Sequence, residues 1–190
     1  DIMMFHGPLH EEYPDLIDYC YPVLKSLKEK GEIRFIGLST RFSLDPEQIV
    51  AKLAVQNNPE LFDVIMLKYG ILNQYAATKI MPLAIKNNIG IMNMAVIREK
   101  LPDKTLLEQL ITKWKKEGLI GKDSLKDKNP LGWLVKGDVD SIISAGYKFA
   151  ADHPAVSTVI TGTADIKHLE SNVNALAKPI LPRHHSTILK

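Results

Sequence analysis

Short apolar segments recur along this chain at intervals of about thirty residues, the usual length of a strand–helix–strand unit. Four of these segments begin near residues 1, 32, 63 and 89, and a fifth covers residues 156–161. The stretches between them place apolar residues at helical spacing. Strands that are apolar throughout and alternate with amphipathic helices are typical of a parallel sheet covered by helices. The sequence therefore predicts an α/β fold.

Capping residues predict where the intervening helices begin and end. Pro22 suits the first turn of a helix that Gly31 ends, and residues 9–21 before it are predicted to form turns. Asp45 is predicted to cap a helix that reaches about Gln56. Three further helices are predicted on the same grounds: residues 75–87, a helix to about Ala151 capped by Asp138 or Asp140, and a helix to about Ala177 capped by Asp165.

Residues 98–138 form a long insertion that interrupts the alternation of strands and helices. One helix is predicted within it, at about 105–117, and the rest is rich in polar residues and glycine. Three apolar residues of this polar stretch are predicted to pack inward: Leu131, Trp133 and Leu134. Long loops after the strands of a parallel sheet commonly bind ligands. Residues 178–190 are predicted to form a C-terminal tail along the surface.

The composition of the chain narrows the classes of function. Among 190 residues, 24 lysines and arginines are spread among 22 acids, so the net charge is only +2 and no nucleic-acid surface is indicated. No apolar run reaches the roughly 18 residues of a membrane span, and the start does not resemble a signal peptide. The single cysteine, Cys20, excludes an internal disulfide and fits a reducing compartment. The sequence predicts a cytoplasmic protein that binds neither nucleic acid nor membrane.

Sites in parallel α/β sheets lie at the carboxyl ends of the strands. In this chain those positions hold His6, Ser39-Thr40, Lys68, Met94 to Arg98, and Thr161 to Thr163. Each position also has a purely structural interpretation. A strand-end histidine is often structural, Ser39-Thr40 suits a helix N-cap turn, and Lys68 suits a solvated or ion-paired lysine. Met94 suits a core residue, and the last segment suits a helix N-terminus without a ligand.

Several segments of the chain are similar to the aldo/keto reductase family. They are His6-Gly7-Pro8 after an apolar strand, residues 27–39 (LKEKGEIRFIGLS), residues 62–69 (FDVIMLKY) and residues 159–163 (VITGT). The resemblance runs from residue 1 to about 180. It implies a parallel (β/α) barrel of TIM type, here a partial barrel of about five βα units that match strands four to eight of the family. It also implies a single domain over residues 1–190 that lacks the three N-terminal βα units.

The resemblance implies an oxidoreductase that depends on a nicotinamide cofactor. Its reaction is the reduction of carbonyls (aldehydes, ketones or sugars) or the oxidation of the matching alcohols. NADP is the expected cofactor, with NAD as the alternative, and a small carbonyl compound is the expected substrate.

The resemblance also assigns residues to the nicotinamide end of the cofactor. His6 matches the catalytic histidine that hydrogen-bonds the substrate carbonyl, which needs a donor as it becomes an alkoxide. Ser39 matches the serine that holds the carboxamide, and Thr40 stands where the family usually has an asparagine. Met66 stands where most members have a glutamine that also contacts the carboxamide. Met94 stands where an aromatic residue often stacks on the ring, and its thioether can cover a ring face.

The adenosine end of the cofactor is assigned in the same way. The residues implied are Arg98, Thr161, Gly162, Thr163, Lys167, His168 and Asn172. Arg98 begins the loop that faces the pyrophosphate, and residues 161–163 form a turn at a helix N-terminus, which favours an anion such as the 2′-phosphate. His168 stands where many members have an arginine, and Asn172 matches the asparagine that contacts the adenine. Lys167 adds positive charge.

The family acts through an Asp, a Tyr, a Lys and a His, and His6 is the member of this set that the chain matches. Tyr13, Tyr19 and Tyr21 follow the histidine strand and do not match the family's proton donor. We therefore expect a truncated protein that is inactive alone. Because five strands leave sheet edges unpaired, we also expect self-association, an N-terminal fragment that completes the barrel, or the remainder of a longer protein. Two alternatives stay open: a Schiff-base aldolase that uses Lys68, and a non-catalytic partial-barrel interaction module.

Overall fold

A computed structural model of the chain describes residues 1–177, 181 and 189. The described residues group into two compact units. The first unit consists of Asp1–Tyr69, Asn73–Met94 and His153–Ile160. The second consists of Gly70–Leu72, Ala95–Asp152 and the described residues from Thr161 onward. The predicted single domain over 1–190 stays a prediction, and the predicted tail at 178–190 lies outside the described residues except at positions 181 and 189.

The first unit contains a five-stranded sheet in which every neighbouring pair of strands is parallel. The strands are β1 Ile2–Phe5, β2 Phe35–Ser39, β3 Val64–Lys68, β4 Gly90–Met94 and β5 Val156–Val159. Their spatial order follows their order in the sequence. A doubly wound sheet reverses its strand order at a switch point, whereas a (β/α) barrel adds each strand beside the last. The predicted parallel α/β fold is confirmed, and its strand order is that of a barrel.

Short helical segments connect the strands of the first unit. The α-helices are α1 Tyr13–Asp15, α2 Tyr21–Glu29, α3 Ile49–Asn57, α4 Tyr75–Lys79 and α5 Met81–Lys86. They are joined by two 3-10 turns, His10–Glu12 and Pro59–Leu61, and by one π-helical turn, Leu16–Cys20. Residues 10–20 are therefore helical and not the turns that the sequence predicts. Pro14 lies in the first turn of α1, where a missing N–H group costs nothing.

Two helices differ from their predicted extents for local reasons. The helix that Asp45 was expected to cap begins at Ile49, because Gln48 has a left-handed backbone (φ 53°) that cannot be helical. The Asp45 carboxylate instead accepts a hydrogen bond from Val50 N at 3.3 Å. The predicted helix 75–87 is divided at Ile80, since Pro82 has no N–H to continue the helical bonding.

The strands β3 and β4 each have one buried face and one half-buried face. Ile65 and Leu67 are fully buried, whereas Met66 and Lys68 between them are half-buried. Ile91 and Asn93 of β4 repeat the buried half of this pattern. Side chains of a strand alternate between the two faces of a sheet. The fully buried residues therefore share one face, and the half-buried residues share the other.

Among its described residues, the second unit holds three longer helices and the whole of the predicted insertion. Its helices are α6 Lys104–Lys116, α7 Ile142–Ala151 and α8 Ile166–Ala177, and a 3-10 turn covers Gly132–Leu134. The predicted helix at 105–117 is confirmed. Leu131 and Leu134 are buried as predicted, whereas Trp133 is half-buried. Neither Asp138 nor Asp140 is the N-cap of α7, because the Ser141 hydroxyl accepts the hydrogen bond from Ser144 N at 3.0 Å.

Side chains of α6 fix the polar loop that follows this helix. The Glu108 carboxylate accepts hydrogen bonds from Asn129 N at 3.0 Å and from Lys128 Nζ at 2.9 Å. These two donors, the Asn129 amide first, lower the pKa of Glu108. Lys115 Nζ donates to Leu125 O and lies 2.7 Å from Asp127 Oδ1. Among the residues that the structure describes, no helix is long and apolar enough to cross a bilayer.

Candidate functional site

Four of the sequence-predicted nicotinamide residues lie along one face of the sheet at its carboxyl end. Ser39 pairs with Met66 in the register of β2 and β3, and the next pair on that face is Lys68 with Met94. Phe5 pairs with Leu38, so His6 follows at the level of Ser39. His6 is exposed, Ser39 is buried, and the two methionines are half-buried. The structure thus brings His6, Ser39, Met66 and Met94 onto one face, and Lys68 lies there too.

The turn after His6 is bound directly to Ser39. Gly7 N donates to Ser39 Oγ at 2.9 Å, which holds the His6 backbone beside β2. Gly7 has a left-handed backbone (φ 55°), and a Cβ there would lie 3.3 Å from Arg41 Cβ. Because Ser39 Oγ accepts this bond, its own O–H is the group that can donate to a ligand.

Thr40 faces away from Ser39, since consecutive residues of an extended chain point to opposite sides. It is buried, and its hydroxyl donates to Gln48 Oε1 at 3.1 Å. Its amide donates to Met66 O at 2.9 Å, which is the last bond between this stretch and β3. The structure therefore engages the Thr40 hydroxyl inside the fold and does not bring it to the face that carries His6.

The buried side chain of Gln48 takes the place of a strand beside the last residue of β3. Its Oε1 accepts from Lys68 N at 2.7 Å, and its Nε2 donates to Lys68 O at 2.9 Å. Strand β2 ends at Ser39, so these two Lys68 backbone groups have no β2 partner. An unpaired buried amide or carbonyl is costly, which explains why a residue with an unfavourable left-handed backbone occupies this position.

Asn93 fixes the following peptide group from the other side of β3. Its Oδ1 accepts from Tyr69 N at 2.9 Å, and its Nδ2 donates to Tyr69 O at 2.9 Å. Asn93 is fully buried within β4. We call Gln48 and Asn93 together the amide clamp. Sequence reasoning missed both residues, and the one available signal is a lone polar residue at a buried position of an otherwise apolar strand, which applies to Asn93.

The tyrosines after the histidine strand do not resemble a proton donor. Tyr13 is buried, and its hydroxyl donates to Asn58 Oδ1 at 3.0 Å. Burial, and secondly the charge of Glu60, raise the pKa of Tyr13 from 10.0 to about 12. Burial also raises the pKa of Tyr21. A phenol that donates a proton at neutral pH needs a shift in the opposite direction.

A cavity of about 210 Å³ in the second unit gathers several of the predicted adenosine residues. Ten residues line this cavity: Ile97, Pro102, Ser141, Ile143, Tyr147, Gly162, Thr163, His168, Ser171 and Asn172. Thr161 is bound to two of these, since its Oγ1 accepts from Tyr147 Oη at 2.9 Å and from Asn172 Nδ2 at 2.7 Å. The cavity therefore combines apolar walls with amide, hydroxyl and imidazole groups.

The N-terminus of α8 already holds a carboxylate. Asp165 Oδ1 accepts from Lys167 N at 2.8 Å and from His168 N at 3.4 Å, which confirms the predicted cap. Thr163 Oγ1 accepts from Asp165 N at 3.1 Å. A phosphate at this helix end would compete with the Asp165 carboxylate for the same amides. Side chains, rather than the helix amides, are therefore the groups that this end offers to an anion.

Arg98 and Lys167 do not line the cavity. Arg98 is exposed, and its Nε lies 3.7 Å from Glu99 Oε1. Lys167 is exposed on the first turn of α8. Within residues 1–177, together with positions 181 and 189, the structure contains no group of three or more His, Cys, Asp or Glu side chains arranged to hold a metal ion.

A parallel sheet in consecutive order, with its candidate residues at the carboxyl end, defines a partial (β/α) barrel of TIM type with about five βα units. A sequence model of the aldo/keto reductase family matches residues 1–189. The chain therefore belongs to the aldo/keto reductase family, and the resemblance seen in the sequence is confirmed.

The chain is also similar to one curated protein and to solved structures. The uncharacterized oxidoreductase YqkF of Bacillus subtilis (strain 168) is 24% identical over 177 residues, which are 92% of this chain and 54% of that protein. The holo form of aldo-keto reductase AKR11C1 from Bacillus halodurans superimposes with a TM-score of 0.67 at 20% identity. The glycerol dehydrogenase AKR11B4 from Gluconobacter oxydans gives a TM-score of 0.63 at 15% identity.

The chain spans little more than half the length of these relatives. The two structures match all of this chain, which covers 59% of AKR11C1 and 57% of AKR11B4. At 20% and 15% identity, the likeness to these structures shows the fold of this chain and does not assign it the activity of a whole relative.

The amide clamp generates a prediction about stability. Gln48→Leu removes both partners of the Lys68 backbone, and we expect it to lower the free energy of unfolding by about 2 kcal/mol or more. Urea denaturation measures this change, and hydrogen exchange should show faster exchange of the Lys68 amide. Asn87→Leu is the matched control, since Asn87 is exposed and its side-chain amide donates to Leu83 O. If Gln48→Leu and Asn87→Leu lower the free energy of unfolding equally, the stabilising role of the amide clamp is contradicted.

The raised pKa of Tyr13 generates a prediction about pH. Between pH 10 and 12 the unfolded chain releases the Tyr13 proton while the folded chain keeps it, so the wild type loses stability as the pH rises. Tyr13→Phe lacks this loss, which amounts to roughly 1 kcal/mol per pH unit. Urea denaturation of both proteins at pH 9 and pH 11 measures it. Tyr19→Phe, at an exposed tyrosine, is the control and should lose stability with pH as the wild type does. If the stability of Tyr13→Phe falls with pH in parallel with the wild type, the raised pKa of Tyr13 is refuted.

Proposed function

We propose that this chain supplies the cofactor-binding residues of an NAD(P)H-dependent oxidoreductase that reduces carbonyls (aldehydes, ketones or sugars) or oxidises the matching alcohols. The observation that carries the proposal is that His6, Ser39, Met66 and Met94 share one face at the carboxyl end of the sheet. Membership of the aldo/keto reductase family supports the same class of reaction. The names of the relatives, an oxidoreductase and a glycerol dehydrogenase, agree with it.

In the proposed function, the sheet face of the first unit binds the nicotinamide and the substrate carbonyl. The Ser39 O–H donates to the carboxamide, because its oxygen already accepts from Gly7 N. The thioethers of Met66 and Met94 pack against the nicotinamide ring. The exposed imidazole of His6 donates to the substrate oxygen, which gains negative charge when a hydride adds to the carbonyl carbon. The cofactor supplies the hydride when it is bound.

In the second unit, we propose that the cavity beside α8 binds the adenosine 2′-phosphate end of NADP. Thr163 and His168 offer a hydroxyl and an imidazole at the N-terminus of α8, and Lys167 adds positive charge nearby. The Asn172 side chain, which Thr161 fixes at 2.7 Å, is available to the adenine through its remaining polar atoms. Arg98 is assigned to the pyrophosphate. Because the Asp165 carboxylate lies beside this cavity, NAD stays an alternative cofactor.

Proton donation is the step that this chain does not supply. His6 matches one member of the family's catalytic set, and the pKa of Tyr13 is raised rather than lowered. We therefore propose that these 190 residues alone do not turn over and that residues outside them complete the site, whether they belong to the same polypeptide, to an N-terminal fragment or to another copy. A cytoplasmic location, which the single Cys20 favours, stays part of the same proposal.

The Schiff-base alternative receives less support from the geometry. Lys68 Nζ lies 4.7 Å from the centroid of the Phe42 ring. An aromatic face attracts a charged ammonium, whereas an amine that attacks a carbonyl must be neutral. No observation favours the aldolase over the oxidoreductase. The other alternative, a non-catalytic partial-barrel interaction module, is tested by the cofactor titration below.

The cofactor assignment is tested by a gain of affinity. His168→Arg introduces the residue that many members of the family have, and we expect it to tighten NADPH binding about threefold to tenfold through a charge-assisted contact with the 2′-phosphate. NADH binding should change by less than about twofold, because NADH has no such phosphate. Titration followed by the fluorescence of the reduced cofactor measures both. His10→Arg adds the same charge at an exposed histidine of the first unit and should change neither affinity.

Two outcomes of this titration would decide against the proposal. A wild-type chain that binds neither NADPH nor NADH favours the non-catalytic interaction module. Rapid oxidation of NADPH by the purified chain with a panel of aldehydes, ketones and sugars contradicts its proposed inactivity.

A further inference from the structure

Four of the six methionines of this chain lie on the face of the sheet that carries Ser39. Met66 pairs with Met92 across β3 and β4, and Met94 is the next residue of β4 on that face. The fourth is Met4, which comes from β1. We call these four residues the methionine cluster.

The methionine cluster extends across neighbouring strands, so its members lie next to one another. Met66 and Met92 are in register, and the strands of a sheet lie about 4.8 Å apart. Met4 pairs with Gly37 of β2, which has no side chain to fill the space beside it. A Cβ at Gly37 would lie 3.0 Å from both Cγ and Cε of Met4, so the Met4 side chain packs over this glycine. Thioether side chains therefore line this face from β1 to β4.

Solvent reaches the methionine cluster. Its four side chains are all half-buried. The other two methionines differ from them, since Met81 of α5 is fully buried and Met3, on the opposite face of β1, is exposed. A thioether that solvent reaches is open to oxidation by a peroxide, whereas a fully buried one is shielded from it. The chain thus contains a buried and an exposed methionine with which the cluster can be compared.

Two members of the cluster stand at positions where the family usually has residues of another kind. Met66 takes the place of a glutamine, and Met94 takes the place of an aromatic residue that stacks on the nicotinamide. A dilute peroxide converts a thioether to a sulfoxide, but it leaves a glutamine amide and a phenyl ring unchanged. The two methionines therefore give the proposed nicotinamide site of this chain a redox chemistry that the usual residues lack.

We propose that Met66 and Met94 form a reversible oxidation site through which a peroxide lowers the affinity of the chain for its nicotinamide cofactor. Each thioether sulfur gains one oxygen atom and loses two electrons, and hydrogen peroxide is reduced to water. The resulting sulfoxide is polar and packs poorly against the nicotinamide ring. In the reverse step a dithiol becomes a disulfide, and the sulfoxide oxygen leaves as water. This inference rests on the proposed function for the place of the ring, and it deepens that function by naming a regulation of the site.

The experiment treats the full chain with hydrogen peroxide and then removes the peroxide with catalase. Peptide mass mapping measures the sulfoxide at each methionine, and NADPH fluorescence measures the cofactor affinity before and after treatment. Every protein carries Cys20→Ser, because the exposed thiol of Cys20 also reacts with peroxide. The double variant Met66→Leu, Met94→Leu is compared with a matched control, Met3→Leu, Met81→Leu, which also removes two thioethers with little change in volume. Thermal unfolding of each variant verifies that it is folded.

The expected result is a loss of affinity that depends on Met66 and Met94. Peroxide should oxidise these two residues and leave Met81 intact, and the affinity for NADPH should fall about fivefold or more. Methionine sulfoxide reductases with dithiothreitol should restore it. Met66→Leu, Met94→Leu should keep the affinity that it has before treatment, whereas Met3→Leu, Met81→Leu should lose affinity. Equal losses in the two double variants, or oxidation of Met66 and Met94 no faster than that of Met81, overturn the inference.

A second measurement needs no change at the cluster and decides the matter if the leucine variant fails to fold. Saturating NADP⁺ present during the peroxide treatment should slow the oxidation of Met66 and Met94 but not that of Met3, and equal rates with and without NADP⁺ overturn the inference.

Two outcomes separate this inference from the proposed function. If the wild type binds NADPH equally well with sulfoxides at Met66 and Met94, the proposed function stands and the inference is overturned. If the wild type binds no NADPH, but these two residues are oxidised before Met81 and restored by the reductases, the proposed function fails while the oxidation site stands.

Discussion

The amide clamp at the carboxyl end of β3 is the interaction on which the arrangement of the candidate site depends. Strand β2 leaves the sheet after Ser39, and without another partner the Lys68 backbone would stay unpaired at a place where unpaired groups are costly. Gln48 and Asn93 supply the missing partners through their side chains. The strand can therefore continue beyond its neighbour, and Met66 and Lys68 keep one common face with Ser39.

The two candidate ligand-binding regions differ in which of their polar groups are already hydrogen-bonded within the fold. In the first unit, Ser39 accepts one hydrogen bond from Gly7 and keeps its own O–H, whereas the neighbouring Thr40 hydroxyl is engaged by Gln48. In the second unit, Asp165 occupies helix amides that an anion could otherwise use. Potential donors are thus present at both places, and at the N-terminus of α8 the fold leaves side chains rather than helix amides to bind a cofactor.

Sequence patterns predicted those parts of the fold that residues close together in the chain determine. The alternation of apolar strands with amphipathic helices gave the parallel sheet, and the Asp165 cap gave the start of α8. The patterns failed where a distant partner overrides a local preference. Asp45 has the chemistry of an N-cap, but Gln48 adopts a left-handed backbone that places its amide against Lys68, so α3 begins later. Asp140 was displaced as a cap by the adjacent Ser141.

The sequence by itself determined the α/β class, the family resemblance and the candidate positions at strand ends, because strand periodicity and short motifs are written in consecutive residues. Only the tertiary structure decided which of those residues face the same way and which polar groups are already bonded. Thr40 and Ser39 are adjacent in the chain and have the same kind of hydroxyl, yet the Thr40 hydroxyl donates to Gln48 whereas the Ser39 hydroxyl accepts from the Gly7 amide, next to His6. The reason is that hydrogen-bond partners are selected by distance in space, which a local pattern does not encode.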